Sequence, residues 1–228
     1  MRYFGMAAAS AAALMLGGCV REARIALPSE LAASVEELGI DGMGGWRRGT
    51  FTLAGAPGEF TRGADRLQIL DDLLVSNTGA GTFRYANLQG ACRYREREVN
   101  VGVISARARP FSYRCLFSRN GALAGELVIE EERGTLGSML SKRGREGFML
   151  FDGVRYEVKS IHRDQGGGLA NATPLGYRFD SAGRSFGAVD LNGTNKTLFA
   201  PRAGAAREAV FAGGLALSVL WDPAVINP

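Results

Sequence analysis

Ala206-Arg207-Glu208-Ala209-Val210-Phe211-Ala212-Gly213-Gly214-Leu215-Ala216-Leu217-Ser218-Val219-Leu220-Trp221 has the length of a helix and, beyond Glu208, is apolar nearly all round until Asp222-Pro223 stops it. A helix that is hydrophobic on every face belongs inside a protein or inside a membrane. At 1.5 Å per residue it reaches only about 24 Å, short of the roughly 30 Å hydrocarbon core of a bilayer. The place left for it is the inside of a domain. Gly213-Gly214 lowers helix propensity, which implies close packing at that point.

Upstream the pattern is strand and turn. Candidate strands run Thr50 to Leu53, Gly58 to Arg62, Leu67 to Leu74, Gly81 to Leu88, Cys92 to Arg97, Val99 to Ser105, Phe111 to Ser118 and Gly125 to Glu131. Gly147 to Phe151, Arg155 to Ile161, Gly176 to Asp180, Ser185 to Leu191 and Lys196 to Ala200 continue the series. Asn120-Gly121, Asp152-Gly153 and Asn192-Gly193 suit the φ > 0 positions of tight hairpins. Glycine is abundant, 32 of 228 residues, and spread through the chain, which suggests many turns. The domain class that follows is all-β, with about a dozen short strands, beginning near Trp46.

About twelve short antiparallel strands before one buried apolar helix resembles the tubby C-terminal-like fold, the group of the plant LURP-one-related proteins and the phospholipid scramblases. Thr50-Phe51-Thr52-Leu53-Ala54-Gly55, Leu175-Gly176-Tyr177-Arg178-Phe179-Asp180 and Gly183-Arg184-Ser185-Phe186-Gly187-Ala188-Val189-Asp190 look right in kind. The resemblance covers roughly residues 46–223. It implies a closed twelve-strand antiparallel barrel around a central hydrophobic helix, and a protein that binds anionic phospholipid headgroups or acts at membranes. The competing architecture is a lipocalin-like barrel with a hollow interior, a carrier of lipid or a small apolar ligand.

The other end of the chain speaks of location. Arg2 precedes the apolar run Gly5 to Leu16, and Leu16-Gly17-Gly18-Cys19 closes it. This is the order of an export signal, with an apolar run too short to span a bilayer. The ending resembles the lipobox of bacterial lipoproteins, which makes residues 1–18 the signal peptide. Cys19 then becomes a first residue carrying a diacylglyceryl thioether and an N-acyl chain such as palmitate. Two or more chains anchor firmly where one holds marginally. Val20 and Arg21 follow, and no aspartate stands after the cysteine, which points to the periplasmic face of the outer membrane. Residues 19–45 read as a lipidated tether and a short helix, and 46–228 as the barrel domain. In the helix Ser29 is the N-cap, Leu31, Val35 and Leu38 form one face, and Gly39 is the stop.

Two cysteines remain. Cys92 and Cys115 each alternate with apolar residues on one strand face, and an even pair in an exported protein reads as a disulfide. There is no C-x-x-C, and with a single histidine no metal site or cofactor is implied. The net charge of +4, or +3 once Arg2 leaves with the signal, implies no nucleic-acid partner.

His162 is the only histidine. A Ser-His-Asp hydrolase would have to use it, and there is no G-x-S-x-G elbow, so it reads as an exposed residue at a strand end. Asp71-Asp72 and Glu130-Glu131-Glu132 read as solvated surface rather than as a glycosidase pair. Arg93, Arg95 and Arg97 alternate along one strand face, with Arg107, Arg109, Lys142, Arg143 and Arg145 as possible neighbours. An aligned guanidinium row suits phosphate or carboxylate, from an anionic lipid or an acidic envelope protein; equally, acids of neighbouring strands could balance it as a solvated face. The function these features favour is a non-enzymatic binding or structural module, anchored to a membrane.

Overall fold

A computed structural model describes residues 24–44, 47–69, 74–101, 104–132, 144–167 and 170–221, and the side chains of these except 66–69, 74–75, 98–101 and 104–109. Its strands are β1 (Glu36–Asp41), β2 (Arg48–Leu53), β3 (Ala56–Ile69), β4 (Leu74–Tyr85), β5 (Leu88–Val101) and β6 (Ile104–Arg119). They continue as β7 (Ala122–Glu131), β8 (Arg145–Phe151), β9 (Val154–Ile161), β10 (Gly176–Ser181), β11 (Arg184–Asp190) and β12 (Lys196–Ala200). Helix α1 (Ser29–Ser34) precedes them and α2 (Ala205–Ser218) follows. Each strand is antiparallel to the next, and β12 returns to β1, so the sheet is a closed barrel of twelve.

Five two-residue turns close one end: Ala54-Gly55, Ala86-Asn87, Asn120-Gly121, Asp152-Gly153 and Ala182-Gly183. The first residue of each has φ of 48–50°, and the four glycines have φ of 77–82°. That geometry matches the right-handed twist of the strands. Asn192-Gly193, by contrast, lies in a longer connection, residues 191–195. The segments Gly58 to Arg62 and Leu67 to Leu74 are not separate strands. β3 runs unbroken through Gly63-Ala64-Asp65, each paired to β4, and Gly81 to Leu88 contains the end of β4, a turn and the start of β5. Likewise Val99 to Ser105 spans the junction of β5 and β6.

Helix α2 runs along the lumen. All residues from Ala209 to Leu220 are buried, and they meet walls on every side. Val210 packs on Gly187 of β11, Gly214 on Leu198 of β12, and Gly213 on Phe179 of β10 and Met149 of β8. Val219 packs on Gly81 of β4, and the Tyr113 hydroxyl of β6 donates to the Ala216 carbonyl. A helix outside a barrel would touch neighbouring strands only. A Cβ on Gly213 would stand 2.9 Å from Phe179 Cζ and 3.0 Å from Met149 Sδ, so the close packing implied by the glycine pair is present. Each large apolar side chain buried there contributes about 1.5–3 kcal/mol. The helix start is pinned to the rim by ion pairs of Arg207 with Glu36 and of Arg119 with both Glu208 and Asp152.

Glycine does more than turn the chain. Phe51 lies across its cross-strand partner Gly58, Phe83 across Gly90 and Tyr94 across Gly79, each in the space a Cβ would take. Lumenal rings thus cover strand glycines, so these three sit in strands rather than in the turns that composition assigns to glycine.

The N-terminal segment differs from its sequence reading. α1 ends at Ser34 with Pro28 as N-cap and no side-chain cap bond. Leu38 belongs to β1, where Leu38 and Ile40 alternate with Glu37, Gly39 and Asp41; period two wins over the helical spacing of Leu31, Val35 and Leu38. Since β1 pairs with β12 from Glu36 to Ile40, the barrel begins ahead of Trp46. The chain before it is docked too: Ile25 is 0 % exposed and, with Leu31, covers the outer faces of Ile161, Ala188 and Phe199.

Candidate functional site

On β5 alternation sends Cys92, Tyr94 and Glu96 into the lumen and Arg93, Arg95 and Arg97 to the outside. Arg93 stands between Ala80 of β4 and Arg114 of β6, Arg95 between Thr78 and Ser112, and Arg97 between Ser76 and Arg109. A shallow cleft of about 620 Å³ opens over this wall, with Thr78, Ala80 and Ser112 as its small-residue floor and Arg93, Arg95 and Arg114 around it. Asp65 and Glu130 stand at its edges. Among the described residues, the side chains of Arg93, Arg95 and Arg97 form no ion pair or hydrogen bond, and Arg114 reaches Glu126 only at 3.9 Å. Arg93 and Arg114 face each other directly, a like-charge pair that costs a few tenths of a kcal/mol upwards when nothing lies between them. An anion placed there would reverse that sign, and guanidinium groups offer it paired N–H donors.

Of the expected companions, Lys142 and Arg143 lie outside the described residues, as do the side chains of Arg107 and Arg109. Arg145 is not a neighbour. It opens β8 pointing inward, 3 % exposed, with its guanidinium 3.7 Å from the Phe111 ring and Nη1 donating to the Tyr177 hydroxyl at 3.3 Å. With Glu96 (4 % exposed), Asn77 and Tyr113 it gives the lumen a polar stretch near the emerging end of α2. Burial, then the neighbouring Tyr177, holds the Tyr113 hydroxyl well above its ordinary value and keeps it a donor to α2. Sequence reasoning missed Glu96, although its parity with Cys92 and Tyr94 carried the signal.

Cys92 and Cys115 are directly paired across β5 and β6 and form a disulfide, facing the lumen as their alternation requires. His162 is buried, not exposed. Its Nδ1 lies 2.8 Å from the Asn171 carbonyl, which can only accept, so Nδ1 donates there, and Nε2 is hydrogen-bonded to Ser160 Oγ at 2.9 Å. Ser160 Oγ in turn accepts from the Arg145 backbone N–H at 2.9 Å. This relay ties the ends of β8 and β9 together; a carbonyl stands behind the ring where a triad has a carboxylate.

Asp71, Asp72 and the lipobox with Cys19 lie outside the described residues. Among those described, no group of three or more histidine, cysteine or acidic side chains could hold a metal ion, and no helix is long and apolar enough to cross a membrane.

No family model, curated protein or solved structure matches the chain.

Proposed function

We propose that the chain is an exported bacterial lipoprotein, fixed through acylated Cys19 to the periplasmic face of the outer membrane, and that its barrel is a non-enzymatic binding module of the tubby C-terminal-like kind. The observation that carries this reading is the filled lumen: the space in which a lipocalin-like carrier would hold its cargo contains α2, packed from every side. Recognition is then left to the outside, where the Arg93, Arg95 and Arg97 row stands without protein partners among the described residues. Its chemistry fits an anionic group, either a lipid headgroup or the carboxylates of an envelope protein.

The test is co-sedimentation of the Cys19→Ser chain with liposomes containing phosphatidylglycerol. Each cation near an anionic surface contributes about 1 kcal/mol, so Arg93→Gln/Arg95→Gln/Arg97→Gln should weaken binding about a hundredfold. Unchanged binding removes the row from the function. Native mass spectrometry of the same chain addresses the alternative carrier, since a reproducible extra mass would mean a cargo.

A further inference from the structure

We infer that the arginine row of β5 is a lane for a single extended, acidic protein segment whose carboxylates recur at every second residue; the inference rests on the reading of that row as an anion site. A closed ring has no free strand edge, so a peptide cannot join the sheet through its backbone, and recognition falls to the outward side chains. On β5 these recur about every 6.8 Å, from Arg93 through Arg95 to Arg97, and β5 pairs with β4 over this stretch without a break in register. An extended peptide presents its own alternate side chains at the same period. Three carboxylates on one of its faces therefore meet three guanidinium groups in step, each with paired N–H donors to offer.

The ground beside the row is low. Next to Arg93 stands Ala80 of β4 and beyond it Gly63 of β3, where a Cβ would meet nothing within 4 Å. Next to Arg95 and Arg97 stand Thr78 and Ser76, both short. On the other side Arg114 of β6 is level with Arg93, so a carboxylate set between them replaces one repulsion by two attractions. The borders are acidic. Asp65 stands two strands to one side of Arg95 and Glu130 two strands to the other, each about 9–10 Å away. Those borders select the partner. A broad anionic surface, such as a bilayer, lays negative charge over Asp65 and Glu130 as well as over the arginines. One extended chain, about a strand spacing wide, lies on the arginines alone.

The experiment titrates the isotope-labelled Cys19→Ser chain by NMR with two blocked hexapeptides of one composition, Glu-Thr-Glu-Thr-Glu-Thr and Glu-Glu-Glu-Thr-Thr-Thr. The salt is held at about 0.1 M, where charges more than about 10 Å apart are screened. When extended, the first peptide puts three carboxylates on one face and the second only two. The alternating peptide should bind about fivefold tighter, the share of one well-formed exposed ion pair, with shifts centred on the amides of β4 to β6. Arg93→Gln, Arg95→Gln and Arg97→Gln should each cost it about the same factor. Asp65→Asn/Glu130→Gln should keep the preference between the peptides while strengthening attachment to phosphatidylglycerol vesicles. No gain on vesicles removes the role of the borders and with it the choice of a single chain. Equal affinity for the two isomers overturns the lane, because charge alone then accounts for binding. A chain that binds vesicles through the row but neither peptide overturns this inference and leaves the anion site standing; a chain that binds neither vesicles nor peptides through the row overturns both.

Discussion

Truncation of Leu215 to Ala removes three carbons from the middle of α2, at a side chain that is 0 % exposed. At about 0.8 kcal/mol per buried carbon, transfer alone accounts for about 2.4 kcal/mol. The void adds to this, because the surrounding wall is a closed hydrogen-bonded ring that cannot slide inward. Measured Leu→Ala losses in packed cores span about 2.7–5.0 kcal/mol, and a wall this constrained belongs in the upper half, near 4 kcal/mol. Against a typical total stability of about 5–15 kcal/mol, that is a loss urea unfolding resolves without difficulty. Leu123→Ala is the control: the side chain is 77 % exposed at the hairpin end, and its loss should stay within about 0.5 kcal/mol. Both should keep the wild-type slope against urea, so that the midpoints report stability. A Leu215→Ala loss under about 1 kcal/mol, or one equal to that of Leu123→Ala, would refute the helix-filled lumen and with it the case against a hollow carrier.

Ala54, Ala86 and Ala182 adopt φ of 50°, where an alanine Cβ is strained and asparagine is not, so Ala54→Asn and Ala182→Asn should each raise the unfolding free energy by about 0.5–1 kcal/mol. A fall on denaturant unfolding would contradict the turn assignment. The Cys92–Cys115 bridge joins residues 23 apart, and Cys92→Ala/Cys115→Ala should cost about 3 kcal/mol by the loop-entropy relation, read as a lower urea midpoint. Burial raises the Asp190 carboxyl above its ordinary value despite the Ile25 and Asn192 N–H groups that favour its anion. The folded state therefore binds the proton more tightly than the unfolded chain does. Stability from this group is present at low pH and is lost as pH climbs from the ordinary carboxylate value through the raised one. Asp190→Asn should flatten that part of the stability–pH curve, and an unchanged slope would assign it elsewhere.

Class and strand count are legible in the sequence because the lumen enforces them. Alternation such as Phe111, Tyr113, Cys115 and Phe117 exists because those side chains meet α2 or its neighbours, and the all-round apolar character of Val210 to Leu220 exists because the helix has walls on every side. Strand ends are less legible. Gly63 falls between two candidate strands because composition cannot separate a glycine that bends the chain from one that lets it pair flat. β1 reads as helix because Leu31, Val35 and Leu38 happen to fall at helical spacing across a boundary at Val35. Of the site, the outward arginines follow from parity alone, whereas the burial of Arg145 and His162 depends on where β8 and β9 begin and end.

The closed ring also narrows where recognition can occur. Half of every strand's side chains are committed to the lumen, which α2 fills, and on the outside Ile25 and Leu31 cover Ile161 of β9, Ala188 of β11 and Phe199 of β12. Among the described residues, the outer wall from β1 round to β8 stays open. Its tallest strands, β3 to β6, have 12–16 residues where β1, β2 and β10 to β12 have 5–7. The partnerless arginines sit on that tall wall, on the side away from the docked N-terminus. Under the proposed Cys19 anchor, the docked Ile25 end of the barrel would lie towards the bilayer, and Arg97 would stand nearer the membrane than Arg93. A bilayer ligand would then draw more on Arg97 than on Arg93, and a soluble acidic partner would draw on all three. Single Arg→Gln variants along the row, each measured against vesicles, therefore separate the two kinds of partner by gradient rather than by presence or absence of binding.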